Sequence, residues 1–133
     1  MNTVIGMIEL VYILRAVAEA CGGERGVRKG CVIKFGDLER FVFDVLWQKE
    51  RIATYSTARD LRKDAERLAA IDVIKFEFGE IIIEDLGEFL RKIAPFELVA
   101  KNMTAGNSYL KYVFKRIEDS AREYAKNIVL QSA

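Results

Sequence analysis

The sequence predicts a mainly α-helical α+β domain that contains one β-hairpin. Apolar residues recur at helical spacing in several segments, whereas residues 71–85 alternate with period two around Gly79. The chain has 133 residues, which is the length of one domain. Hydrophobic residues make up 51% of it and charged residues 31%, so a disordered chain is excluded.

The first predicted helix spans residues 3–21 and is apolar almost all round, as in a helix that is enclosed on several sides. Gly22-Gly23 is expected to end it, because glycine readily adopts the left-handed conformation at a helix C-terminus. Glu9, Arg15 and Glu19 interrupt the apolar run, so a membrane span is not expected. No basic start or clear cleavage site typical of a secretory signal is present, and we expect a cytoplasmic protein.

The second helix follows a polar loop, residues 22–30, and a short extended piece at Val32-Ile33. Asp37 is expected to cap this helix, which runs to about Lys49. Its buried face is expected to consist of Leu38, Phe41, Val42, Val45 and Leu46.

The third helix is predicted to start near Ser56-Thr57, with Asp60 completing a capping pair, and to reach about Ala70. Its apolar residues gather on one side of the helix: Ala58, Leu61, Ala65, Leu68 and Ala69. Two short strands then meet at Phe78-Gly79-Glu80 and form the hairpin.

A capping box of Asp85 with Glu88 opens a short fourth helix, which Pro95 is expected to end. Residues 95–106 are predicted to be a linker, and residues 107–131 the last and longest helix. This helix carries a seam of period 3.5: Leu110, Phe114, Ile117, Ala121, Tyr124 and Ile128. An apolar seam of this kind must pack against another helix. We expect a homodimer that buries it, in which the helix 3–21 also takes part. The alternative is a monomer whose last helix folds back on its first.

Two patterns around the hairpin carry a resemblance to a known family. Leu61-x6-Leu68-x2-Ile71-x2-Ile74 is similar to the end of a recognition helix, and residues 81–90 are similar to a second wing strand that runs into a helix. Residues 5–94, and most clearly residues 61–90, thus resemble the winged-helix DNA-binding domains of small archaeal and bacterial transcriptional regulators, and the predicted winged-helix domain spans residues 1–94. Ile83 and Glu84 stand where that family usually has Leu and Thr, whereas Gly87 matches its pattern.

This resemblance implies three helices and a two-stranded wing that bind double-stranded DNA, with the third helix in the major groove. On that helix, Arg59, Lys63 and Arg67 are spaced i, i+4, i+8 and form one basic stripe, as phosphate and guanine contacts require. Arg62 lies at the border of the core face. The remaining DNA contacts are expected at the start of that helix and in the loop before the second helix: Ser56, Thr57, Arg25, Arg28, Lys29 and Lys34. The alternative is an ordinary solvated face, because Asp60, Asp64 and Glu66 dilute the basic stripe.

The wing itself is acidic. From Phe76 to Leu90 the chain has five carboxylates and no base, and phosphates repel carboxylates. We therefore expect the wing not to touch DNA and Phe76 and Phe78 to pack inwards. The competing hypothesis is a winged-helix protein-interaction module or scaffold without a nucleic-acid role.

Catalysis is not expected. The chain has no histidine, which excludes imidazole bases and histidine-containing metal sites, and its two cysteines are too few for a structural zinc site. We expect no cofactor. The apolar pattern of the first and last helices contains no polar group that would orient a small-molecule effector. A net charge of +1 excludes a protein that binds nucleic acid by overall charge alone. One proline and many Lys, Glu and Ile lean towards a thermophilic source.

Overall fold

The structure is a computed structural model that describes residues 3–23, 29–52, 55 and 57–132, with side chains for residues 6–20, 31–52, 55 and 57–126. It is mainly helical, with a small antiparallel sheet between the helices. The elements in chain order are α1 (Thr3–Gly23), β1 (Lys29–Lys34), α2 (Phe35–Arg40) with a π-helical continuation (Phe41–Lys49), α3 (Ala58–Ala70), β2 (Lys75–Glu77), β3 (Glu80–Asp85), α4 (Leu86–Thr104) and α5 (Ser108–Ser132).

The helix α1 is the centre of the core, as its apolar sequence predicts. It packs against α5, α4, α3 and β1. Six of its large apolar side chains are at most 2% exposed: Ile8, Leu10, Val11, Ile13, Leu14 and Val17. Burying a side chain of this size stabilises the fold by about 1.5–3 kcal/mol, so the enclosure of α1 contributes a large share of the stability.

The second helix begins differently from the prediction. Asp37 does not cap it but lies buried in its first turn, where its carboxylate pairs with Arg40. The helix starts without a side-chain cap because the backbone N–H of Phe35 donates to the carbonyl of Gly79 in the hairpin, at 2.9 Å. From Phe41 the helix widens to π geometry, which the apolar spacing does not reveal, and it ends near Lys49 as predicted.

The third helix, α3, agrees with the sequence prediction. The Thr57 side chain accepts a hydrogen bond from the backbone N–H of Asp60 at 3.2 Å, which satisfies one of the free donors of the first turn. Leu61, Ala65 and Leu68 are fully buried. The opposite side of α3 is therefore the side that faces solvent.

The predicted hairpin is present, but its first strand is shorter than the alternating sequence. Asp72 has a φ of +63°, and the N–H of Val73 bonds back to the carbonyl of Leu68, so the strand β2 begins only at Lys75. The turn Phe78-Gly79 has φ values of +52° and +72°, as in the two-residue turns that join antiparallel strands. Left-handed backbone costs a non-glycine residue such as Phe78 about 1–2 kcal/mol.

The strand β1 is more than the short extended piece that the sequence indicates. It pairs with β3 antiparallel, with Cys31 opposite Ile83 and Ile33 opposite Ile81, and gives the strand order β1-β3-β2 among the described residues. These four side chains are buried on the same face of the sheet. The sheet thereby fixes the hairpin relative to the start of the second helix.

The expected stop at Pro95 is wrong, and so is the linker over residues 95–104. The helix α4 starts at the predicted cap, where Asp85 accepts from the N–H of Glu88 at 2.8 Å, but it continues through Pro95 to Thr104. Beyond the proline, Ala100 packs against Ile8 and Phe114 in a second apolar cluster. This burial offsets the hydrogen bond that proline cannot donate.

The last helix begins as predicted, since the side chain of Asn107 accepts from the N–H of Leu110 at 3.1 Å. Its apolar seam packs into the core against α1. Arg15 of α1 joins the three long helices, because its guanidinium pairs with Glu97 of α4 and with Glu118 of α5.

Candidate nucleic-acid interface

The solvent face of α3 carries four exposed cations: Arg59, Arg62, Lys63 and Arg67. No carboxylate of the described residues forms an ion pair with Arg59 or Lys63. Since they lie four residues apart, both project from the same side of the helix. Their charges are thus available to a ligand that approaches α3 from solvent.

Arg62 is exposed but held in place by aromatic rings. Its guanidinium carbon lies 4.8 Å from the ring centre of Phe35 and 5.5 Å from that of Phe76. The two rings stack on each other with centres 5.4 Å apart. This arrangement joins α3 to α2 and β2 and restricts the orientation of a planar donor group, which accounts for the position of Arg62 at the edge of the core face.

Arg67 has a structural partner. Its Nη1 donates to Oδ1 of Asp64 at 2.9 Å, and Asp64 is only 2% exposed. The other carboxylate oxygen, Oδ2, lies 2.7 Å from the hydroxyl of Tyr55. Of the three acids that dilute the stripe in the sequence, Asp64 is therefore buried, and Arg67 of the same helix balances its charge.

Glu66 is the acid that remains on the cationic face. It is exposed and lies three residues from Lys63 and four from Arg62, so it stands among these cations. Asp60 is half-buried at the start of the helix. The face is basic but not uniformly so.

Of the other predicted DNA contacts, two have exposed side chains, and the side chains of the rest are not described. Thr57 is exposed at the start of α3, where its hydroxyl caps the helix. Lys34 is exposed at the end of β1, opposite Glu80 of the hairpin, and so lies beside an acid rather than in the α3 stripe. Lys29 lies in β1 but outside the residues whose side chains are described. Three predicted contacts lie outside the described residues altogether: Arg25, Arg28 and Ser56.

A buried polar group on α1 is absent from the sequence prediction. Glu9 of α1 is 8% exposed, and its Oε2 has no hydrogen-bond partner among the described residues. Burial raises the pKa of this carboxyl from 4.5 to about 8. The one sequence signal for it is a carboxylate inside an otherwise apolar helix.

Tyr55 lies between α1 and α3. Its hydroxyl lies 2.6 Å from the carbonyl of Gly6 as well as beside Asp64. Burial, followed by the hydrogen bond with Asp64, raises the pKa of this phenol. A Cβ on Gly6 would lie 3.1 Å from the tyrosine ring, so the glycine makes room for the ring between the two helices.

The hairpin tip contradicts part of the expectation for the wing. Phe76 packs inwards on Phe35, but Phe78 is 99% exposed, so the expectation that both phenylalanines pack inwards is wrong for Phe78. Two acids, Glu77 and Glu80, flank the tip. In the two-residue turn Phe78 belongs to neither strand, and the strand alternation that would turn it inwards ends before it.

The seam that was predicted to mediate dimerisation is used inside the chain. Phe114, Ile117 and Ala121 are at most 5% exposed, Leu110 is half-buried, and the ring of Tyr124 lies 5.1 Å from that of Phe41. Ile128 lies outside the residues whose side chains are described. This packing is the one that the single-chain alternative describes, and the homodimer stays a prediction.

A groove of about 370 Å³ lies between the end of α3, the hairpin and the start of α4. Its floor is apolar, with Val73 and Phe89 among its lining residues. The charged residues along its rim pair with one another or with the helix α4: Lys75 with Glu84, Lys92 with Asp72, Glu88 with Arg91, and Asp85 with a backbone N–H. The groove therefore lacks the unpaired polar group that would orient a ligand.

Comparisons of the chain with models of known protein families, with curated proteins and with solved structures found no match. Within the described ranges, no helix combines the length and the apolarity needed to cross a bilayer. In the same part of the chain, no three Cys, Asp or Glu side chains come together as a group that would hold a metal ion.

Proposed function

We propose that this chain binds double-stranded DNA as a winged-helix transcriptional regulator, with α3 as the recognition helix. The order of three helices followed by a hairpin whose second strand runs directly into α4 supports the winged-helix assignment. The pairing of β1 with β3 supports it further, because it joins the hairpin to the strand that leads into the second helix.

The observation that carries the proposal is the set of exposed cations on α3. The buried side of this helix anchors it in the core, and its solvent side offers Arg59 and Lys63 with no competing ion pair in the described residues. A helix presented in this way fits the major groove, where Lys and Arg neutralise phosphates and contact guanine.

The cations of α3 take two kinds of part in the proposed contact. Arg62 is the best candidate for a guanine, because a guanidinium held over aromatic rings loses little freedom when it donates two hydrogen bonds. Arg59 and Lys63 contact phosphates, and Thr57 lies at the helix start, where backbone N–H groups also favour phosphate. In this proposal, Ser56, Arg25, Arg28, Lys29 and Lys34 supply additional backbone contacts.

The test is fluorescence anisotropy of a labelled random-sequence duplex at low salt. We expect Arg59→Gln combined with Lys63→Gln to weaken binding by about tenfold or more. The control is Lys101→Gln combined with Lys126→Gln, which removes the same charge from exposed positions of α4 and α5. Equal losses in both double variants would contradict a role of α3.

The competing function is protein–protein interaction without nucleic acid. The acid-flanked, fully exposed Phe78 favours it, because such a tip suits a protein surface better than a phosphate backbone. The same titration separates the two functions, since an interaction module does not bind the duplex even at low salt.

A further inference from the structure

The hairpin tip presents an apolar side chain that nothing in the described chain covers. Phe78 is 99% exposed, more than any other large apolar residue of the described side chains. Its backbone is also left-handed, at a turn position where Asn, Asp and Gly are the favoured residues. An aromatic residue at this position therefore costs free energy in two ways, through its backbone conformation and through its exposure to water. A contact with another molecule would remove the second cost.

The tip is held firmly in place. The carbonyl of Gly79 accepts a hydrogen bond from the N–H of Phe35, and the ring of Phe76 in β2 stacks on the ring of Phe35 in α2. A turn supported in this way loses little backbone freedom when it binds, and this lowers the entropic cost of using Phe78 as an anchor residue.

The charges around the tip define what it fits. Glu77 and Glu80 flank Phe78, and the exposed cation on β2, Lys75, is already paired with Glu84. Lys34 lies opposite Glu80 on the neighbouring strand. The acidic tip disfavours phosphate and anionic lipid and favours a surface with aromatic and cationic side chains.

The chain itself has such a surface, at the start of α5. Tyr109 is 72% exposed and Tyr112 is 60% exposed, and their spacing of three residues places them on neighbouring turns of one side. Lys111 and Lys115 are exposed on the side of Tyr112 that points away from Tyr109, and Lys115 forms an ion pair with Asp119 at the long distance of 4.0 Å. This surface lies away from the buried seam of the same helix.

We propose that the chain forms a homodimer in which Phe78 of one copy packs on Tyr109 and Tyr112 of the second copy. Glu77 and Glu80 of the first copy face Lys111 and Lys115 of the second. In a twofold arrangement each copy gives one tip and receives one, so the contact forms twice. The contact does not involve α3 and does not depend on DNA binding.

The first test is sedimentation velocity of the full chain without DNA, over a wide range of protein concentrations. We expect a concentration-dependent dimer whose dissociation constant rises at least tenfold in Phe78→Asn. Asparagine suits the turn, so this variant keeps the hairpin, and an unchanged circular dichroism spectrum checks the fold. The control is Leu98→Gln, which removes a comparably large apolar group that is 60% exposed on α4, and it is expected to dimerise as the wild type does.

The second test exchanges the charges across the contact. Glu77→Lys with Glu80→Lys weakens the dimer, as does Lys111→Glu with Lys115→Glu, and an equimolar mixture of the two double variants is expected to associate more tightly than either alone. A chain that stays monomeric at every concentration would overturn the proposal. So would a dimer that Phe78→Asn leaves unchanged, or charge variants whose mixture shows no recovery.

Discussion

The buried carboxyl of Glu9 makes the stability of this protein depend on pH in a predictable direction. Its pKa is about 8 in the folded chain and near 4.5 when the group is exposed, so between these values the folded state binds more protons than the unfolded state. Stability therefore falls as pH rises from about 4.5 to about 8 and then levels off with respect to this group. Burial raises this pKa, and the Oε2 atom of Glu9 has no hydrogen-bond partner among the described residues.

The variant Glu9→Gln removes this dependence, because glutamine has nearly the shape of the protonated carboxyl and does not ionise. At pH 7, which is 2.5 pH units above the ordinary pKa of 4.5, Glu9 is ionised in the unfolded chain but protonated in the folded chain. At about 1.36 kcal/mol per pH unit, this difference lowers the free energy of unfolding by about 3 kcal/mol. We expect Glu9→Gln to stabilise the chain by about 3 kcal/mol at pH 7 and by close to nothing at pH 4.5.

Urea unfolding at intervals between pH 4.5 and pH 9 measures this difference directly. Glu123→Gln, at an exposed position of α5, is the control and is expected to leave the pH dependence unchanged. A gain from Glu9→Gln that is the same at pH 5 and at pH 8 would refute the assignment of a buried, protonated carboxyl.

Three further changes test other parts of the account. Glu66→Gln removes the acid from the cationic face of α3 and is expected to raise duplex affinity by about two- to fivefold in fluorescence anisotropy, whereas weaker binding would contradict the proposed face. Tyr55→Phe leaves a carboxylate oxygen of Asp64 buried without its donor, and we expect a loss of about 1–3 kcal/mol in urea unfolding; an unchanged midpoint would show that this hydrogen bond is unimportant. Pro95→Ala restores a helical hydrogen bond at an exposed position and is expected to raise stability by about 1–3 kcal/mol, whereas destabilisation would argue against a continuous α4.

Local signals predict most of the helix and hairpin boundaries. The caps at Thr57, Asp85 and Asn107 are visible in the sequence because each satisfies free backbone donors within three residues. The turn at Gly79 is visible for a similar reason, since a positive φ favours glycine. Such features depend on neighbours in the chain and not on the rest of the fold.

What the sequence does not reveal depends on distant contacts. The strand β1 exists because β3, some fifty residues away, pairs with it, and α4 continues past Pro95 because Ala100 reaches a pocket between α1 and α5. The start of the second helix is satisfied by the hairpin turn, which makes a cap at Asp37 unnecessary. In each case a tertiary contact overrides the local preference.

In the candidate site, too, the sequence predicts the features that depend on α3 alone and misses those that depend on contacts with other elements. Helical spacing predicts the shared face of Arg59 and Lys63, because it depends on one helix alone. Spacing does not predict that Arg67 neutralises a buried Asp64, which also contacts Tyr55, or that the guanidinium of Arg62 lies over two rings from other elements.

The measurement that tests the central claim most directly is the salt dependence of duplex binding by the wild type and by Arg59→Gln with Lys63→Gln. The account predicts that log K of the wild type falls linearly with log salt concentration, by about 0.9 for each phosphate contact, and that the slope of the double variant is flatter by about two units. Absence of binding by the wild type at low salt, or identical slopes for the two proteins, would contradict DNA recognition through α3.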